Sequence, residues 1–186
     1  MYNVIDKYNE QIRPNLKDGD ALLCRGVGFF SKAIQWADDA YYSHVVAHVY
    51  QDGNRWFGIQ AWDKGIEVKP ISQIINEAAQ GDVCILRLED TESQVHTRKM
   101  FCLDKVYRNE GYDKKLIILE LLKLKMNVPE WMLYKFDNPN KYDCSQLFQQ
   151  SSLTSDHREY LSERLFTPQD AVRLMLRDGS TKLLCV

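Results

Sequence analysis

Apolar positions come in short alternating or clustered runs along the first half of the chain, and in longer helical runs along the second. "DGDALLCR" (18–25) is a turn leading into an apolar run and predicts a short strand. "GFFSKAIQWADDA" (28–40) spaces Phe29, Ile34 and Trp36 near helical intervals and predicts a short helix. "YSHVVAHVY" (42–50), rich in Val and Tyr, predicts a strand. "QDGN" is a hairpin signal, "RWFGIQAW" (55–62) the return strand, and "GIEVKP" (65–70) a further strand that Pro70 ends. "ISQIINEAAQ" (71–80) predicts a helix with Gly81 just past its end, and "DVCILRLE" (82–89) another strand.

The second half reads as helices with recognisable starts. Thr91 and Gln94 form a T-x-x-Q capping box that opens a long helix to about Asn109, closed near Gly111. "KKLIILELLKLK" (114–125) is helical, and Pro129 suits the first position of a short helix "PEWMLYKF". Asp143 and Gln146 form a D-x-x-Q box around "YDCSQLF", and Thr167-Pro168 opens a last helix that Gly179 follows. Strands joined by tight turns or single helices predict an α+β fold with a mainly antiparallel sheet rather than a doubly wound one. No internal repeat or low-complexity linker divides the chain, so residues 1–186 are read as one domain.

Composition narrows the classes of function. The balance of 45% hydrophobic and 27% charged residues is that of an ordinary globular protein, and net charge is −2 with no Lys/Arg block that would mark a nucleic-acid surface. No glycine-rich phosphate loop is present, so nucleotide binding has no motif behind it. "MYNVIDKYNEQIRPNL" has no apolar core of a signal peptide, and "LIILELLKL" (116–124) is too short to span a bilayer. The expectation is a protein without a transmembrane segment and cytoplasmic by default, a secreted form with its leader removed being the alternative. The five cysteines are odd in number, widely spaced and without a C-x-x-C pair. That predicts reduced thiols, with neither a disulfide framework nor a metal site, and no cofactor is implied.

Cys144 differs from the other four by position. With Asp143 as N-cap it takes the first helical position, where unpaired N–H groups and the helix dipole favour a thiolate. Leu147, Phe148 and Leu153 are apolar and expected to bury the helix while Cys144 stays at its exposed tip. Alone, the stretch fits either a nucleophile or a packed free cysteine. Cys24, Cys84, Cys102 and Cys185 read as core or incidental thiols.

A thiolate nucleophile needs a base, and histidine is the default. His96 and His157 lie in polar surroundings and read as solvated. His44 and His48 share one face of the 42–50 strand about 13 Å apart, too far for joint metal ligation. Each also fits a satisfied buried imidazole. Two registers of the following hairpin are compatible with the turn. A three-residue loop Gln51-Asp52-Gly53 pairs Tyr50 with Asn54 and puts His44 opposite Gln60, which would then orient the imidazole. A two-residue Asp52-Gly53 turn puts His44 opposite Ala61 instead.

These pieces, "YYSHVVAHVY", then "IQAW", then "YDCSQLF", resemble the circularly permuted papain-like proteins of the NlpC-type superfamily, with the YiiX-like group as the best match. "DGDALLCR", "GFFSKAIQW", "GDVCILRL", "GYD" and "FTPQDAVRL" extend the likeness over roughly residues 16–176. The resemblance implies a permuted papain-like fold with Cys144 as nucleophile at a helix N-terminus, His44 as base and Gln60 as the third polar group. It implies supporting or substrate-contacting places for Tyr142, Ser145 and Ser43. The group often carries glutamate where this chain has Gln60, and a neutral amide orients an imidazole without raising its pKa as a carboxylate does.

What the resemblance implies chemically is a cysteine peptidase or amidase acting on a peptide, peptidoglycan-fragment or acyl-amide substrate through a thioester. An acyltransferase or lipid acyl hydrolase using the same pair is the alternative, motivated by the apolar "LIILELLKLKMNVPEWMLYKF" (116–136), which an ordinary core helix also explains. A binding module that has lost the chemistry is the third reading, with Gln60 as its sign.

Overall fold

The computed structural model describes residues 4–79, 82–126, 140–153, 167–178 and 181–185. A helical N-terminal segment opens the chain: α1 (Val4–Lys7) continues as a π turn (Tyr8–Ile12) and a 3-10 turn (Arg13–Asn15). Then follow β1 (Ala21–Cys24), α2 (Phe29–Asp38), β2 (His44–Val46), β3 (His48–Asp52), β4 (Arg55–Trp62) and β5 (Gly65–Pro70). Next come α3 (Ile71–Ile74) with its π extension (Ile75–Ala79), β6 (Val83–Leu88), α4 (Glu92–Tyr107), β7 (Gly111–Tyr112) and α5 (Lys114–Met126). The last elements are β8 (Lys141–Tyr142), α6 (Cys144–Leu153), α7 (Pro168–Asp178) and β9 (Thr181–Cys185). The expected helix at Pro129 and the glycines 81 and 179 lie outside the described residues, as does His157.

The strands form a four-stranded sheet in the order β2-β1-β6-β9, a three-stranded sheet β3-β4-β5, and a short parallel pair β7-β8. The two larger sheets are antiparallel throughout, so the α+β expectation holds. The strand expected over 42–50 is two strands. β2 pairs with β1, with His44 opposite Cys24, whereas β3 pairs with β4, with His48 opposite Ile59. The change of partner falls at Ala47, whose N–H still donates to Ile59 O (2.9 Å) while its carbonyl turns toward α4.

The hairpin corrects both expected registers. Asp52 pairs with Arg55 around a two-residue Gly53-Asn54 turn. Gly53 has φ 56° and leads the turn, the place that a type II′ hairpin reserves for glycine. Gly58 in β4 is required for another reason: a Cβ there would stand 2.7–2.9 Å from the side chains of Val46, Ile71 and Ile74.

Side chains on opposite faces of β1 enter different cores, as the two-residue period of a strand dictates. Ala21 and Leu23 join Val45, Ile59, Cys144, Leu147 and Phe148. Leu22 and Cys24 join Tyr8, Ile12, Val46, Ile71, Ile74 and Ile85. Helix starts follow the expected chemistry. Thr91 and Gln94 exchange both capping-box hydrogen bonds at α4. The α4 end differs slightly from expectation: Asn109, at φ 53°, rather than Gly111 takes the left-handed position after the helix.

Arg98, fully buried in α4, ties these parts together. Its Nη1 donates to Asp90 Oδ2 (2.6 Å) and Gly19 O (3.2 Å), and its Nη2 to Ala47 O (3.2 Å). A buried cation missing its partner is costly, so each member depends on the other. Arg98→Met is expected to lower unfolding free energy by about 3–5 kcal/mol, because it removes the buried cation paired with Asp90 and the donors to Gly19 O and Ala47 O. Arg98→Met combined with Asp90→Leu recovers part of the loss, since the Gly19 and Ala47 carbonyls still lack their donor. Urea denaturation midpoints test this; a loss under ~1 kcal/mol for the single variant contradicts it.

Candidate active site

Cys144 is placed by the cap of its own helix. Asp143 Oδ1 accepts from the N–H groups of Ser145 (2.7 Å) and Gln146 (2.9 Å), and Asp143 N–H donates to Gln146 Oε1 (3.3 Å). The D-x-x-Q box is therefore formed, and Cys144 opens α6 as expected. Leu147 and Phe148 anchor the helix in the core, and α6 packs on β2 and β4. The side chain of Leu153 lies outside the description.

The exposed tip expected for Cys144 is not found: the residue is only 4% exposed. Burial pushes its thiol up to about 12, and the neighbouring Asp143 carboxylate adds to the shift. Hydrogen bonds from the Val45 backbone, the Ser145 hydroxyl and its own backbone favour the thiolate but do not win. The Ser145 Oγ stands 3.9 Å from Cys144 Sγ. Burial also raises the thiols of Cys102, up to about 12, and of Cys24, further.

His44 begins β2, next to Val45, whose N–H addresses the Cys144 sulfur. Its Nε2 lies 2.8 Å from Gln60 Oε1, so the predicted partners do meet. They do so by a different route from the one expected. His44 and Gln60 are not ladder partners; Gln60 reaches across from the second sheet, where it pairs with Glu67 of β5. The indole of Trp62 closes edge-on against the imidazole, centroids 4.6 Å apart at 75°. Burial lowers the His44 pKa to about 4, and the Gln60 contact only partly opposes this.

The remaining expected residues fall around this pair. Ser43 Oγ accepts from Gly26 N–H (3.1 Å) and Gln35 Nε2 (3.2 Å), joining β2 to α2. Tyr142 is buried, and its ring lies 5.3 Å from Lys105 Nζ. A cleft of about 270 Å³ opens over His44 and is lined by Ser43, Ile34, Trp62 and Tyr112, with Asp63 and Lys114 at its charged side. Lys114 and Asp63 form an ion pair. Cys144 and Tyr142, both buried, do not line this cleft.

Two residues at the site were not singled out from the sequence. Trp62 is the last residue of "IQAW", where nothing local marks it as a site residue. Glu67 Oε1 accepts from Gln60 Nε2 at 2.9 Å and is held by Lys69 Nζ at 3.0 Å. Its signal was the two-residue period of β5, legible only once the β4–β5 register is known.

His48 stands apart from the site. It is fully buried, and neither ring nitrogen has a hydrogen-bond partner among the described residues, so the expectation of a satisfied imidazole fails. Burial lowers its pKa to about 3, with Arg98 and Lys99 adding to the effect. His96 is exposed, as expected.

The described residues form an α+β protein with a buried cysteine at a helix N-terminus and a buried histidine held by a glutamine amide. No family model matches the chain, and no curated protein matches it. Among solved structures, the chain is similar to one titled as the crystal structure of metalloprotein yiiX from Escherichia coli O157:H7, DUF1105. The TM-score is 0.58 at 17% identity, covering 91% of this chain and 88% of that one. This likeness shows a shared fold.

Both buried histidines give stability a definite pH dependence. Their folded pKa values lie below that of an unfolded histidine, so the unfolded chain binds the protons first. Stability is full above about pH 6.5 and falls as the pH drops toward 4 for His44 and toward 3 for His48. His48→Leu is expected to remove on the order of 3 kcal/mol of the loss between neutral pH and pH 4. Urea midpoints at several pH values check this; an unchanged pH slope contradicts it.

Proposed function

We propose that the protein is a cysteine hydrolase that cleaves a peptide or cell-wall-type amide through a thioester on Cys144, in a permuted papain-like arrangement. The observation that carries the reading is the buried His44 Nε2–Gln60 Oε1 contact on β2, the strand whose next residue, Val45, meets Cys144 and on which α6 packs. The chain shares its fold with the yiiX protein, and in this chain the His44 strand precedes the Cys144 helix.

With Nε2 committed to Gln60, His44 Nδ1 is the nitrogen that takes the Cys144 proton as sulfur attacks the carbonyl carbon. The Cys144 backbone N–H supplies one hydrogen bond to the resulting oxyanion. His44 then gives its proton to the leaving amine, the C–N bond breaks, and a thioester remains. Water adds to the thioester with His44 as base, and the acid leaves as the thiol re-forms. A raised thiol pKa and a lowered imidazole pKa make the resting pair neutral, so proton transfer accompanies attack rather than preceding it.

The metal in the neighbour's title does not fit this site. Among the described residues no three His, Cys, Asp or Glu side chains gather as ligands, and the histidine at hand has its Nε2 on Gln60. No step is routed through one.

Cys144→Ala and His44→Ala are each expected to lower turnover of a peptide-amide panel by about a thousandfold or more, with circular-dichroism melts preserved. The acid limb of kcat/KM should lie near pH 4, where His44 protonates, rather than near the pH of a free imidazole. Full activity in Cys144→Ala refutes the reading.

A second reading, acyl transfer or lipid acyl hydrolysis by the same pair, is favoured by one observation. α2 and α5 pack side by side along the cleft and carry Phe29 (86% exposed), Trp36 (69%), Ile118, Leu122 and Met126 outward. Exposed apolar side chains of that size mark contact surfaces. Acyl esters of graded chain length test it, read as a thioester on Cys144 by intact mass. Acylation that strengthens with chain length supports it, and no thioester at any length counts against it.

A further inference from the structure

We propose that Glu67 is a positioning residue that sets the tautomer of His44 through the side-chain amide of Gln60. The geometry stands without the hydrolase reading, and the consequence for catalysis rests on it.

A glutamine amide has two ends of nearly equal shape, and only its partners decide which end faces which way. Gln60 is fully buried between β2 and β5, so both ends must be matched. Glu67 sits directly across the ladder from Gln60, the closest side-chain neighbour a strand offers. An ionised carboxylate can only accept, so the amide NH₂ must turn toward it, as the 2.9 Å Nε2–Oε1 contact records. The amide carbonyl then faces His44, at 2.8 Å, and it too can only accept. His44 must therefore donate from Nε2. The proton on Nε2 leaves the Nδ1 lone pair available for the thiol.

Each choice forces the next, from a half-exposed carboxylate to a buried base. The outer end is itself fixed. Lys69 Nζ lies 3.0 Å from Glu67 and 2.8 Å from Glu77, so the carboxylate is clamped on the surface side of β5. The charged groups at the other side of the imidazole are Asp63 and Lys114 at the cleft, which pair with each other. Neither is recorded as a hydrogen-bond partner of the His44 ring, which leaves the Gln60 carbonyl to fix the tautomer.

The test uses the full chain with Glu67→Ala, Glu67→Gln and the exchange Gln60→Glu with Glu67→Gln. The exchange moves the carboxylate to position 60 and gives it a donor at 67, so an acceptor-only group again faces His44 Nε2. The His44 tautomer is read from two-bond proton–nitrogen NMR correlations, and kcat and KM from amide hydrolysis. Wild type is expected to hold the Nε2–H form, and the exchange variant to keep Nε2 protonated while the carboxylate at 60 raises the His44 pKa. Glu67→Ala should mix the tautomers and lower kcat about tenfold or more with little change in KM, and Glu67→Gln should fall between. A His44 that stays wholly Nε2–H in Glu67→Ala overturns the proposal whatever the activity does. A tautomer that follows Glu67 in a protein with no amidase activity upholds it and sinks the hydrolase reading alone.

Discussion

The change of strand partner at Ala47 is the constraint on which the site depends. One run of residues supplies the edge of one sheet and, a single residue later, the first strand of another. Because β2 leaves the plane of β3 and β4, His44 comes to lie over Gln60 rather than beside it in a ladder. The switch leaves the Ala47 carbonyl unpaired by either sheet, and buried carbonyls need partners. Arg98 meets it from α4, and meets Gly19 O at the same time. A buried guanidinium is an expensive pin, and its five donors explain why arginine serves: one side chain can satisfy two carbonyls and a carboxylate from three separate segments.

The electrostatics of the site turn on a contest between burial and the helix end. A cysteine at a first helical position gains from the dipole, an effect worth about 0.3–1 kcal/mol at a surface. Removal of the thiolate from water costs more, and the capping carboxylate of Asp143 adds a like charge next to the sulfur. The same burial keeps His44 neutral, since a neutral amide offers little to an imidazolium. Burial thus leaves both Cys144 and His44 neutral near neutral pH, and the Gln60 contact sets the orientation of the imidazole. A carboxylate at position 60 would shift that balance toward an ion pair; here the carboxylate sits one strand further out, at Glu67.

Local signals in the chain were legible where the physics is local. The boxes at Thr91/Gln94 and Asp143/Gln146 are four-residue motifs whose hydrogen bonds close on themselves, and both formed as read. The meeting of His44 with Gln60 was also anticipated, although through a register the hairpin does not adopt. Gly53 decided that register by taking the first central position of a shorter turn. The strand switch at Ala47, the long-range β6–β9 pairing and the β7–β8 pair depend on partners far along the chain, which no local pattern encodes. The burial of Cys144 was missed for the same reason, because it is imposed by the sheet against which α6 packs.

The central claim is that His44 serves Cys144 as its base. The most direct measurement is the rate of alkylation of Cys144 by iodoacetamide from pH 3 to 8, read on the Cys144 peptide by mass spectrometry, in wild type and in His44→Ala. The account predicts a rate in wild type that rises through about pH 4, as His44 loses its proton, and a rise that disappears in His44→Ala. A wild-type rate that follows only the titration of the thiol, unchanged by loss of His44, would contradict it.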